Sequence, residues 1–218
     1  MKNKKLLLLG YGPGNGESIT NAFGKEGMKI TIAARNELKL KLAVENLRKN
    51  NIESDYFVVD FSNEDSLREK LNTYINDSFP DLVIYNASAF NTGSPLEFNY
   101  ETLIQDFKVN VGGAFISAQI LIPEMKKHNT GKFFITGGGT ALKPFKDGFS
   151  LSLGKAAVRN FTYSLAQELY SSNIHIATVT IDGMIKKGTS IDPDLIAQEF
   201  IKLYNQQKPN WKTEVHFA

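Results

Sequence analysis

The chain contains no cysteine, which excludes a disulfide framework, a thiol nucleophile and any thiolate metal site. Histidine is nearly as scarce. His128, His175 and His216 are scattered along 218 residues, so no metal centre is expected. There is no surplus of one charge either: 25 Lys and Arg face 23 Asp and Glu. That balance gives no electrostatic footprint for nucleic acid or an anionic membrane. Long apolar runs are missing too. Leu6–Leu9 is too short for a signal-peptide core and glycines follow at once, so it reads as a buried strand. Nothing approaches the roughly 20 apolar residues of a membrane span, and a cytoplasmic protein is expected.

What remains is ordinary globular composition, 42% hydrophobic and 22% charged, on a length that suits one α/β domain. Strand and helix patterns alternate. Strands are expected at Leu6–Leu9, Lys29–Ala33, Tyr56–Val59, Leu82–Tyr85, Lys132–Thr136, Ile174–Ile181 and, shortest, Val215–Phe217. Helices are expected at Ser18–Lys25, at Glu37–Asn50 with Leu38, Leu42 and Leu47 on one face, and after Ser62, taken as an N-cap. Tyr100–His128 reads as mostly helical with a restart near Pro123. Ser152–Ser171 carries an apolar stripe of Ala157, Phe161, Leu165 and Leu169. Asp192 caps a last helix with Pro193 at its first position. Short connections between strands and helices imply a parallel sheet covered on both faces. Residues 1–218 are thus expected to form a single doubly wound Rossmann-type domain, seven-stranded, binding its ligand at the carboxyl ends of the strands.

At the first such end stands Gly10-Tyr11-Gly12-Pro13-Gly14-Asn15-Gly16, between a strand and a helix. In that setting glycines let the backbone approach a pyrophosphate, and the helix N-terminus offers free N–H groups. At the end of the second strand stands Ala33-Ala34-Arg35-Asn36, with no carboxylate before Glu37. A site for NAD(H) wants an acidic residue there. Arg35 suits a 2′-phosphate, so NADP(H) is the expected cofactor.

The glycine spacing resembles that of the short-chain dehydrogenase/reductase family, and ordered elements along residues 4–217 extend the resemblance. Asp60, followed by Phe61, looks like the family's adenine-contacting aspartate. Asn86-Ala87-Ser88-Ala89 resembles its Asn-Asn-Ala-Gly element, and Asn110-Val111-Gly112-Gly113 its asparagine-bearing helix. Lys155-Ala156-Ala157 resembles the segment that starts at the catalytic lysine. Asp182-Gly183 occupies the place of its Pro-Gly element. The resemblance implies a nicotinamide-dependent oxidoreductase acting on a small carbonyl or alcohol compound that the sequence does not identify. It also implies a homodimer or homotetramer paired through the two long helices, with Gly112, Gly113 and Ala114 allowing close approach.

The chain departs from the family at its chemistry. The family uses Ser, Tyr and Lys, aided by Asn. The tyrosine position, four before Lys155, is Leu151, and the serine position falls on Gly137 or Gly138. Asn110 and Lys155 remain. Ser150 and Ser152 are candidate substitutes, with Thr136 and Thr140 nearby. Eight residues separate Gly183 from Asp192, fewer than the family's usual substrate loop. The Gly-Pro-Gly turn, Ile181-Asp182-Gly183 and Trp211-x-x-Glu214 resemble features of a bacterial subgroup. Weak carbonyl reduction is therefore expected, because a positioned general acid typically contributes about 10²–10⁴-fold. The alternative is a non-catalytic NADP(H)-binding sensor or partner protein. A methyltransferase of the same fold class fits the Asn86, Asn110 and Lys155 placements less well.

Overall fold

The computed structural model describes all of residues 1–218. Its strands are β1 (Lys5–Leu9), β2 (Lys29–Ala34), β3 (Ser54–Val58), β4 (Leu82–Tyr85), β5 (Gly131–Gly138), β6 (Ile174–Ile181) and β7 (Glu214–Phe217). The helices are α1 (Asn15–Lys25), α2 (Glu37–Lys49), α3 (Glu64–Asp77), α4 (Tyr100–Phe107), α5 (Gly113–His128), α6 (Phe149–Glu168) and α7 (Pro193–Tyr204). All seven strands form one parallel sheet in the order β3-β2-β1-β4-β5-β6-β7. The direction of winding reverses between β1 and β4, which sets the ligand crevice at their carboxyl ends.

Four consecutive leucines suit β1 to the interior of the sheet, between β2 and β4. Leu6 and Leu8 pack into the core beneath α1, α2 and α7, Leu7 and Leu9 into that beneath α3, α5 and α6, and none of the four has any exposed surface. A strand buried on both faces has no polar side, so the run needs no alternation.

Several expected boundaries shift. Asn63, not Ser62, caps α3, accepting from Ser66 N. Ser62 is taken by Asp60, whose Oδ1 accepts from both its N–H and its hydroxyl. β3 begins two residues early because Ser54 and Asp55 pair with Ile30 and Thr31. β5 extends through Gly138 because β6 stays paired with it that far. In α2 the buried stripe is Leu40, Ala43, Val44 and Leu47, while Leu38 and Leu42 are exposed. α6 starts at Phe149 and ends at Glu168. Val158 and Thr162 form its buried face, and Ala157, Phe161 and Leu165 are half-buried. Pro123 lies inside α5, and the interruption comes earlier, as a π turn at Lys108–Gly112. Gly113 and Ala114 face inward, and a Cβ on Gly113 would lie 2.2 Å from the Tyr85 hydroxyl. These two small residues serve internal packing.

Candidate functional site

The crevice is built from the loop after β1. Gly10 has φ +99, and a Cβ there would sit 2.1 Å from Ala87 N. No other residue lets the ends of β1 and β4 come so close. Asn86 fixes that approach: its Nδ2 donates to Gly10 O at 2.8 Å, and its Oδ1 accepts from Thr136 Oγ1 at 2.9 Å. Gly14 begins α1 with φ +81 and no side-chain cap. A Cβ on Gly12 or Gly14 would meet nothing within 4 Å. The first turn of α1 has no side-chain cap; Glu17 N–H donates to Gly12 O, and the N–H groups of Asn15 and Gly16 form no hydrogen bond. An anion fits that arrangement.

Beside the loop lies a cavity of 430 Å³ whose lining includes Gly12, Pro13, Arg35, Asn36, Lys39 and Leu42. The structure thus brings Arg35 to the glycine loop and adds Lys39, which the sequence reading missed. Its signal was a second cation one helical turn after Arg35. Exposed Leu42 belongs to this cavity and gives it an apolar wall. Across the sheet, Asp60 holds the loop after β3. Phe61 packs edge-on against the Tyr85 ring, centroids 5.6 Å apart. Ser88 is exposed at the end of β4.

The far end of the crevice holds Asn110 and Lys155. Asn110 is buried in the π turn, accepting from Ala89 N at 2.7 Å and donating to Ala89 O at 3.0 Å. Lys155 Nζ donates to Thr136 O at 2.7 Å. Desolvation brings its ammonium down to about 8. The two glycines after Thr136 differ sharply. A Cβ on Gly137 would lie 2.6 Å from Thr178 Oγ1 and 2.9 Å from Thr180 Oγ1, whereas one on Gly138 would face Lys155 Cγ at 3.3 Å. Gly138 therefore borders the site, and Gly137 packs against β6.

The structure commits the two candidate serines elsewhere. Ser150 Oγ donates to the buried Asp106 carboxylate at 2.6 Å, which also accepts from Asn91 Nδ2. Ser152 Oγ donates back to the carbonyl of Gly148, the N-cap of its own helix. After β6, Gly183 turns the chain at φ +151 against Ile191. The Asp182 carboxylate pairs with Lys143 at 3.1 Å. The loop from Gly183 to Asp192 contains no helix and closes on itself through Lys186 N–Ile191 O and Gly188 N–Asp192 Oδ2.

A family model described as short chain dehydrogenase matches residues 4–196. The chain belongs to that family. The chain is 23% identical over 220 residues to an uncharacterized oxidoreductase of Staphylococcus aureus, covering 95% of this chain and 94% of the relative. A short-chain dehydrogenase from Rhodopseudomonas palustris superposes with a TM-score of 0.89 at 25% identity, covering 100% of this chain and 99% of that one. A metagenomic short-chain oxidoreductase solved in complex with NADP superposes with a TM-score of 0.90 at 20% identity, covering 100% and 98%. The last likeness is one of fold. No helix of the chain is long and apolar enough to cross a membrane.

Proposed function

We propose that the protein binds NADP(H) and reduces a small carbonyl compound, or oxidises the matching alcohol, at a low rate set by the loss of the family's tyrosine and serine. The observation that carries this reading is the uncapped glycine loop opening beside the Arg35 and Lys39 cavity, on the same edge of the sheet as Asn110 and Lys155. The glycine loop and the start of α1 would hold the pyrophosphate. Arg35 and Lys39 would hold a 2′-phosphate, and Asp60 and Phe61 would flank the adenine. Asn86, Ala87, Ser88, Lys155, Asp182 and Gly183 would border the nicotinamide end. When bound, the nicotinamide supplies or accepts the hydride.

The residues here bind and orient well but handle protons poorly. Leu151 occupies the position one turn before Lys155 on the same helix face, and it has no ionisable proton. Gly138 offers no hydroxyl to a developing oxyanion. Orientation alone still supports a residual rate. Leu151 equally favours a second reading, in which the protein senses NADP(H) or serves as a partner subunit without turnover.

Turnover of NADPH with aldehydes and ketones tests the choice. Wild type is expected to fall well below about 10 s⁻¹, the enzyme median, and Leu151→Tyr combined with Gly138→Ser is expected to raise the rate at least tenfold. Serine belongs at Gly138, because a side chain at Gly137 would collide with Thr178 and Thr180. Rapid ketone reduction by wild type would defeat the claim of impaired chemistry.

A further inference from the structure

The polar side chains near Lys155 are already committed. Ser150 donates to Asp106, Ser152 to Gly148 O and Thr136 to Asn86. Thr140 Oγ1 is buried, Lys155 Nζ is held against Thr136 O, and the Asp182 carboxylate pairs with Lys143. Leu151 and Gly138 have no polar side-chain atom.

The same end of the sheet presents aromatic surface instead. Phe90 follows β4 and Phe145 follows β5. They are 54% and 42% exposed, with ring centroids 6.4 Å apart. Both stand at the start of α6. A Cβ on Gly148, the N-cap of that helix, would lie 2.1 Å from the tip of the Phe145 ring, and Leu151 follows within one turn. Phe90 is pinned from both sides. Asn110 holds Ala89 N and O. The buried Asp106 carboxylate accepts from Asn91 Nδ2 with one oxygen and from Ser150 Oγ with the other, each at 2.6 Å. One carboxylate thus ties the neighbour of Phe90 to the neighbour of Leu151. The two loops also join directly, Gly93 N donating to Asp147 O. Exposed rings fixed in this way form a wall suited to a flat apolar ligand.

We propose that the substrate is a quinone, which lies against Phe90 and Phe145 and requires no acid from the protein. This rests on the reading of the crevice as a site of hydride transfer from NADPH. A ketone takes hydride at carbon, and its oxygen becomes an alkoxide, about as basic as hydroxide, whose conjugate acid has a pKa of about 15.7. Such an oxygen calls for a positioned proton donor. A quinone takes hydride from C4 of the reduced nicotinamide onto one oxygen, breaking that C–H bond and leaving the nicotinamide oxidised. The displaced electron pair passes through the ring, which becomes aromatic, and settles on the second oxygen. The product is a hydroquinone monoanion, a phenolate whose conjugate acid has a pKa of about 10, and it takes its proton from water. Leu151, half-buried one turn before Lys155, gives the ring apolar contact where a ketone would require a donor.

Menadione is the probe and cyclohexanone the comparison, both at saturating NADPH. The kcat/KM for menadione is expected to exceed that for cyclohexanone by at least about 100-fold, the lower end of what a positioned acid contributes. The menadione rate is expected to be unchanged in heavy water and slowed when the transferred hydrogen of NADPH is deuterium. Binding is read separately by calorimetry, with NADP⁺ present so that no turnover occurs. Phe90→Ala and Phe145→Ala are each expected to weaken menadione binding at least about fivefold at unchanged NADP⁺ affinity, and Phe90→Tyr and Phe145→Tyr to restore it. Similar kcat/KM for the two substrates, slowing of menadione reduction in heavy water, or menadione binding indifferent to both alanines overturns the proposal. NADPH binding without menadione turnover overturns it as well and leaves the sensor reading standing. Failure of wild type to bind NADPH instead removes the reductase reading beneath it.

Discussion

Asn110 sits where a helix ladder opens. The π turn at Lys108–Gly112 releases the Val109 carbonyl, which accepts from the buried Tyr85 hydroxyl at 2.5 Å. The same turn aims the Asn110 amide at both backbone groups of Ala89. α6 comes close to it at Gly154, where a Cβ would lie 2.7 Å from Asn110 Cβ. Asn110→Ala is expected to lower stability by about 2 kcal/mol, read by urea unfolding, because it leaves Ala89 N and O without partners in a part-buried setting. The sequence made Asn110 visible through its place in a motif. The π turn was not legible, because it depends on Tyr85, which is distant in the chain. Ser150 misled for a related reason: its hydroxyl is drawn off by Asp106, a residue of another helix.

At the scale of elements, β7 shows how a short edge strand is held. Glu214, at its first residue, accepts a forked pair of bonds from Arg159 at 2.8–3.0 Å and further bonds from Tyr163 and Thr180. Burial alone would push this carboxyl up, but the donors from Arg159, Thr180 and Tyr163 overcome it and hold it down at about 2. Because the folded value lies below the ordinary 4.5, the clamp is at full strength above about pH 4.5. It is lost as pH falls toward 2. Acid unfolding of Glu214→Gln is expected to be flatter than wild type across that window. Arg159→Ala is expected to cost about 2 kcal/mol, less than a fully buried pair because Arg159 is a third exposed. The Trp211-x-x-Glu214 motif gains a physical meaning here, since Trp211 stacks on His175 at 4.8 Å while Glu214 grips α6. β6, α7 and β7 were legible almost to the residue, because an apolar run and a capping Asp-Pro are local signals. The buried face of α2 was not. Leu42 keeps an apolar period while lining the cavity beside Arg35, so spacing alone could not separate a core leucine from a cavity leucine.

The whole molecule is one sheet whose parallel direction was readable from alternating elements, while its strand order, which places the crevice at the reversal between β1 and β4, was not, because it depends on which strands pair across the fold. Its outer surface is less even. Phe115 on α5 is 45% exposed and lies 5.8 Å from the half-buried Phe161 on α6. We propose that these helices pair across a two-fold axis in a homodimer or homotetramer, with aromatic side chains rather than Gly113 and Ala114 forming the contact. Sedimentation is expected to give at least twice 24.3 kDa at micromolar concentration, and Phe115→Glu to give the monomer. A wild-type monomer would remove the pairing. Titration of wild type and Arg35→Ala with NADPH and NADH asks whether the crevice is an NADP(H) site. Wild type is expected to bind NADPH at least tenfold more tightly than NADH, with most of that gap erased in Arg35→Ala, because Arg35 answers the charge of the 2′-phosphate. Equal affinity of wild type for the two dinucleotides, or binding of neither, would contradict it.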